Sequence, residues 1–335
     1  MARTGSGTSW DDPYIVDNWA DLLTVNNNSN YVKFANPSRT ITGDGSAANP
    51  FVVSTYEEML AKTGATHIWQ VKLIEREAKK YKYSSNDGDI FLIYDDSITT
   101  IDFNNEPTMP SSGYTTPVLI NCHVDFNGWT LKNIAINYGG QLRFANTGTK
   151  NIRLQNLLIL RWLSSSALYL DYGIDTAIIN MQASNDTTNA LSLFYAPQSE
   201  SESIRNSSIT IKSIANSGTI TMNCMITDSN VLIEHTGLIS LGNTDFTRTR
   251  MSGTIDAPST FTIADDIYGM IFDVYCPNGQ PSKQNYVYSS SFWNTDKCNN
   301  PSSMTATNLY GATTEQLKNP QWLYEHGLLI GVDSR

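Results

Sequence analysis

The feature that most narrows the folds open to this chain is a period. Short runs of alternating apolar and polar residues return around Asn133 ("TLKNIAIN"), Asn156 ("IRLQNLLIL"), Asn180 ("TAIINMQA") and Asn206 ("SIRNSSITI"). They continue around Asp228 ("MITDSNVLI"), Arg250 ("TRMSGTI") and Asp273 ("MIFDVY"), at steps of 23, 24, 26, 22, 22 and 23 residues. Alternation marks a half-buried strand, and the polar residues between runs are turn formers. No unit holds the amphipathic segment of roughly 10–15 residues that a βαβ crossover requires. Asn127-Gly128 within "VDFNGWTLKNIAINYGG" (124–140) has the look of a hairpin turn, yet hairpins need no fixed period.

A right-handed parallel β-helix does need one. Three short strands and three turns make a coil, here of about 23 residues, and coils stack at about 4.8 Å. The expected fold is therefore all-β, a solenoid with short helical capping elements at both ends. Leu154, Leu157, Ile159, Ile178, Ile209 and Ile211 are the expected inward residues. Repeated Asn at 133, 156, 180 and 206 is expected to stack at one corner as an amide ladder, a series broken by Asp228 and Arg250. The rival fold is a flat β-sandwich.

Both ends depart from the middle. "GSGTSWDDPYIVDNWADLL" (5–23) returns as "GDGSAANPFVVSTYEEML" (43–60), with Pro13 matching Pro50, Tyr14 matching Phe51 and Trp19 matching Tyr56. Each copy reads as a strand after proline, then a capped helix. In the second copy Ser54 and Glu57 have capping-box spacing, and Tyr56, Met59 and Leu60 share a helix face. Such a helix suits the open end of a solenoid, which otherwise exposes apolar surface and unpaired edges. Near the other end, in "GATTEQLKNPQWLYEHGLLI" (311–330), Thr313 and Gln316 form a capping box and Pro320 ends or restarts the helix. Gly327 then leads into a short strand, Leu328–Ile330. The organisation expected is an attachment segment (1–42), a capping region leading into the solenoid (43–110), the β-helix (111–300) and a C-terminal cap (301–335). "YVKFANPSRTITG" (31–43) reads as a loop, a candidate attachment arm.

Charge and composition remove several functions. Only 16% of residues are charged and the net charge is −10, which argues against nucleic acid or an anionic membrane as partner. The one basic run, "EREAKKYKY" (75–83), reads as a solvated helix face or a lysine-blunted edge strand. No apolar run approaches the roughly 18 residues that span a bilayer, and no secretory signal is visible at the start. Cys122 and Cys224 fall in apolar strand patterns and read as small buried hydrophobes, while Cys276 and Cys298 flank a loop-rich segment and are candidates to pair.

Candidate chemistry is sparse. Asp245 and Asp265 are 20 residues apart, close to one coil, so their carboxylates and that of Asp266 are placed to stack as a glycosidase pair. This resembles the first two motifs of the polygalacturonase family, but the "GHG" and "RIK" motifs that should follow are absent. The only later histidine, His326, is expected far from that face. Corner residues capping turns are the plainer reading of the three aspartates. "SNDGDIFLIYDD" (85–96) lacks the Glu and spacing of an EF-hand loop and reads as a turn into a strand. His67, His123 and His235 have no second ligand at metal-binding spacing, so no metal or cofactor is expected. Tyr275, Tyr286, Tyr288, Phe292 and Trp293 crowd one segment and are the candidate binding surface for sugar rings or protein partners.

Three stretches, "GDGSAANPFVVSTYEEML", "VDFNGWTLKNI" and "SSFWNTDKCNN…GATTEQLKNPQWL", resemble phage and bacterial surface proteins with adhesin-like, GLUG-related β-helix repeats. The Gly-Leu-(Ser/Thr)-Gly signature itself is missing from the middle coils. The resemblance implies display on a surface and binding rather than catalysis. A start at Met1 without a signal favours a bacteriophage virion component (spike, fibre, or head or neck decoration) over an exported adhesin. The implied partners are other virion proteins and a host surface glycan, with assembly as a homotrimer. The alternatives are a β-helix polysaccharide hydrolase or lyase and a bacterial cell-surface adhesin fragment.

Overall fold

The structure, a computed structural model, describes residues 4–35, 42–46, 48–53, 72–75, 80–85, 88–94, 100–103, 118–137, 142–144, 148–161, 168–170, 173–185, 191–195, 204–259, 261–278, 281–282, 287–298 and 308–328. Across them the chain is a three-faced parallel β-solenoid with short helices at both ends. On the first face one inward row runs through Val32, Val124, Thr149, Ile174, Ile204, Ile226, Phe246, Ile267 and Val287, each in register with the next. All nine are buried. From Val124 onward the steps along this row are 25, 25, 30, 22, 20, 21 and 20 residues, so a coil near 23 is an average over unequal turns.

The second face carries the row Leu131, Leu154, Ile179, Ile209, Val231, Met251, Phe272 and Trp293. Alternation turns the residues between them outward. Ile178, expected inside, sits with Arg153 and Ser208 in the outward row, and Ile179 takes the core position. Leu142, Leu168 and Phe194 stack on the third face. A polar pair points into the core: Ser213 and His235 occupy the inward row between Ala183 and Ile255. The Ser213 hydroxyl donates to His235 Nδ1 at 2.8 Å, and Nε2–H donates to the Leu238 carbonyl at 3.1 Å.

A single residue in the left-handed region turns the chain from the first face to the second. Asn151, Thr176, Asn206, Asp228 and Arg248 hold φ between 43° and 55° there. Their backbone N–H groups donate to the next rung at Asp175, Arg205, Thr227, Thr247 and Tyr268. The expected amide ladder is real but belongs to another corner, where Asn156 donates to Asn133 at 2.6 Å and Asn133 to Asp102 at 2.8 Å. Asn133 and Asn156 are left-handed too, with φ of 57° and 55°, but Asn180 lies within a strand, and Asn206 and Asp228 belong to the corner between the first and second faces. The repeated asparagines therefore do not form one ladder: the sequence period is correct, but its anchors slip from one corner to another.

The duplicated N-terminal motif has a common local form. Gly5 and Gly43 have φ of 84° and 91°, and a Cβ on either would lie 1.9 or 2.1 Å from the carbonyl oxygen of Pro13 or Pro50. The aromatic after each proline, Tyr14 or Phe51, covers the second glycine of its motif, Gly7 or Gly45. In the first copy the strand Tyr14–Val16 is followed by the helix Trp19–Thr24, whose N-cap Asn18 accepts from Asp21 N–H at 2.9 Å. Leu22 of that helix enters the main core. Tyr31–Phe34 is not a loop but the second rung, pairing with Tyr14–Val16 and with His123–Asp125. The solenoid thus begins at residue 14, well before residue 111.

In the second copy the strand Phe51–Val53 joins a separate four-stranded sheet with 72–75, 80–85 and 88–94. The helix expected at 54–60 lies outside the described residues, as does His67. "EREAKKYKY" contributes to an antiparallel pair in which 72–75 is the edge strand, and "GDIFLIY" (88–94) is the strand foreseen after residue 87.

At the C-terminus the Thr313–Gln316 capping box is complete, and Pro320 opens a second helix, Pro320–Glu325. Leu317, Leu323 and Leu328 pack with Ile271 and Phe292 in a cluster separate from the solenoid core. Ile271 and Phe292 alternate with the inward Phe272 and Trp293, so the helices close the last rungs from their outer flank. A buried ionic network holds them. Asp273 binds Lys297 at 2.7 Å, Arg250 at 3.4 Å and Asn294 at 2.6 Å, and Arg250 also donates to the Leu317 carbonyl at 3.0 Å. Burial opposes ionisation of Asp273, but Lys297, Arg250 and Asn294 outweigh it and keep the carboxyl below its usual range. Residues 329–330 of the expected last strand lie outside the described residues.

Candidate functional site

Asp245 and Asp266 each precede an inward residue of the first face, Phe246 and Ile267. Because those two pair in register, the aspartates fall on neighbouring rungs. Asp245 Oδ1 accepts the Asp266 backbone N–H at 3.0 Å, and the Asp265 N–H donates to the Thr244 carbonyl at 2.8 Å. Asp245 thus holds the backbone of the next coil through its carboxylate. Burial holds its carboxyl above the usual range; the Asp266 N–H opposes that, and the charges of Asp265 and Asp266 add to it.

Beside the carboxylates, the rings of Tyr268 and Tyr288 stack at 4.5 Å and 5°. Burial, then Tyr288, then Asp266 push the Tyr268 hydroxyl up. Tyr288 is 52% exposed. An open cleft of about 610 Å³ adjoins them, with Arg248, Tyr268, Ser289, Ser290 and His326 among its lining residues. Arg248 is held bidentate by Asp228, at 2.6 and 2.9 Å. His326 Nδ1–H donates to the Trp322 carbonyl at 2.7 Å, and its ring stacks on Trp322 at 3.9 Å.

His326 corrects the sequence reading, which set it far from this face. His326, the C-cap of the last helix, lines the cleft together with Tyr268, as do Gly327 (φ 73°) and Leu328 after it. The only signal in the sequence was that glycine after the last helix, a common helix stop. The candidate aromatics divide. Tyr288 joins the cluster; Tyr275, 48% exposed, ends a strand of the second face; Phe292 and Trp293 are buried in the helix-packed flank and the core. Buried rings have no face to offer a ligand. Tyr286 lies outside the described residues.

Chemically the arrangement offers aromatic surface, serine hydroxyls and an imidazole lining one cleft, with a carboxyl of raised pKa close to Tyr268. Among the described residues, no group of three or more His, Cys, Asp or Glu side chains is placed to hold a metal ion. His123 and His235 bond to backbone groups, His123 Nδ1 accepting the Gly148 N–H at 3.0 Å. Among the described residues no helix is long and apolar enough to cross a membrane. No family model matches the chain, and no curated protein or solved structure matches it either.

Proposed function

We propose that this chain is a non-enzymatic structural and adhesion component of a bacteriophage virion, of the adhesin-like β-helix kind its termini resemble. In this reading it meets a host-surface glycan at the first face and other virion proteins elsewhere. The observation that carries the glycan contact is the Tyr268–Tyr288 stack, half-exposed at Tyr288, beside a cleft bearing Ser289, Ser290 and His326. Aromatic surface with a few fixed polar groups is what a pyranose ring requires. Two measurements test the proposal. Mass spectrometry of purified particles should find the chain in them, and recovery only from culture supernatant would reject the virion role. Binding to host-surface polysaccharide should fall at least tenfold in Tyr288→Ala.

A second reading, a polysaccharide hydrolase or lyase, is favoured by one observation: Asp245 has a raised pKa and lies next to Asp265 and Asp266. A carboxyl of raised pKa beside a second carboxyl is the acid–base pairing of glycosidases. New reducing ends from capsular or pectic polysaccharide, lost in Asp245→Asn, would establish it. Their absence with the unmodified protein eliminates it.

A further inference from the structure

The last full coil brings two thiols together. Cys276 and Cys298 form a parallel bridge between neighbouring rungs, with the Cys276 N–H donating to the Lys297 carbonyl at 3.1 Å. Both sulfurs lie against one acceptor, the Val274 carbonyl oxygen, at 3.8 Å from Cys276 and 3.5 Å from Cys298. A shared oxygen places the two sulfurs on the same side of the sheet. Neighbouring parallel strands lie about 4.8 Å apart, which falls within the Cα separation of about 4.4–6.8 Å that a disulfide spans. Cys224, by contrast, faces Thr244 across its rung. No disulfide is present in the structure.

We propose that Cys276 and Cys298 are a reversible redox latch, closed by thiol–disulfide exchange with a small-molecule or protein disulfide. Cys298, 6% exposed where Cys276 is fully buried, is the first to react. Its thiolate attacks one sulfur of the incoming disulfide and expels the other as a thiolate, leaving a mixed disulfide on Cys298. The Cys276 thiolate then attacks Cys298 Sγ and expels the second thiol. The protein loses two electrons and two protons; the oxidant gains both and leaves as two thiols. Hydrogen bonding to Cys298 and burial hold the Cys276 thiol up, which makes the second step slow and dependent on brief opening of the last rungs.

The same geometry makes the bond easy to reopen. Side chains of in-register parallel neighbours run side by side at about the strand spacing, wider than the roughly 3.8 Å between Cβ atoms of a relaxed disulfide. Closing the latch draws two rungs together, and strained disulfides are the readily reduced ones. Once closed, it ties the coil from 276 to 298 into a covalent ring.

The test uses the full chain incubated with oxidised glutathione, then trapped with N-ethylmaleimide and mapped by peptide mass spectrometry. The expected result is an intramolecular Cys276–Cys298 link, with two of the four thiols lost on titration in denaturant and a higher melting temperature that dithiothreitol reverses. Cys298→Ala should abolish both the link and the shift. Four thiols surviving an exposure that oxidises the urea-unfolded chain would overturn the proposal, as would a link mapped to any other pair. Mapping on the unmodified protein decides the question even where the variant misfolds.

Discussion

The two copies of the N-terminal motif fold alike locally and go to different places. In both, two glycines hold positive φ, a proline carbonyl closes over the first and an aromatic ring over the second. The first copy feeds Tyr14–Val16 into the solenoid beside Tyr31–Phe34, while the second feeds Phe51–Val53 into a small sheet beside 88–94. The motif therefore specifies a strand's entry geometry and nothing about its partner. Partner choice rests on residues downstream of the motif's strand: the first copy is completed by Leu22 and by Phe34, which packs on Phe126 and Trp129 at 5.1 and 4.7 Å.

Phe34 is where that dependence can be broken. Phe34→Ala should cost about 3–5 kcal/mol, the usual toll of emptying a buried phenylalanine site. Urea unfolding followed by circular dichroism should show it as a lower midpoint, with 88–94 keeping its hydrogen-exchange protection. Equal loss in both sheets would show that the two copies are not independent.

The glycines separate the copies more finely. Gly5→Ala and Gly43→Ala impose the same strain, about 1–2 kcal/mol for the left-handed backbone before the displaced carbonyl is counted. Gly5→Ala should lower the main unfolding transition, because Val16 is buried in the solenoid core. Gly43→Ala should leave that transition in place and speed exchange only in 51–53 and 88–94. Identical melting curves for the two variants would refute the separation.

Acid gives the smallest contrast. Burial lowers the His235 pKa below its ordinary value, against the opposing bonds at Gly237 and Leu238, so the unfolded chain binds the proton more readily than the folded one. Stability from this group is present above the unfolded pKa of about 6.5 and is lost as pH falls from there towards the depressed folded value. Of the charged groups on the same strands, Lys212 and Glu234 pair with each other at 3.8 Å on neighbouring outward positions. The solenoid should therefore melt lower at pH 5.5 than at pH 7, and His235→Gln should flatten the difference. The strands of the four-stranded sheet contain no histidine and should not respond.

Much of the solenoid was legible because stacking forces one side-chain type to recur. The aliphatic rows and the period follow from that; the Thr313 cap was legible from its local spacing, and the burial of Cys122 and Cys224 from their apolar strand patterns. The corners were not legible. Asn151, Thr176, Asn206, Asp228 and Arg248 share a backbone conformation but not one side-chain type. Nor does any local signal announce that Val32 and Val124, 92 positions apart in the chain, are neighbours. The candidate site was legible one residue at a time: Asp245 and Asp265 by spacing, although Asp266 is the one in register with Asp245, and Tyr288 by composition. His326 was lost because it reaches the cleft from a helix outside the repeat.

In this molecule the hydrogen bonds that join one coil to the next all lie along the long axis. A load pulling the two ends apart would act on those layers in series, and the weakest would yield first while the rest stayed whole. Long matched strands bind Ser208–Thr227 to Asn230–Thr247, whereas the last strands meet through short pairings such as Ile271 with Phe292 and Phe272 with Trp293. Under tension the protein should fray from its extremities inward. A load pulling across a single coil would meet covalent backbone instead, so the chain resists tension across its axis far better than along it.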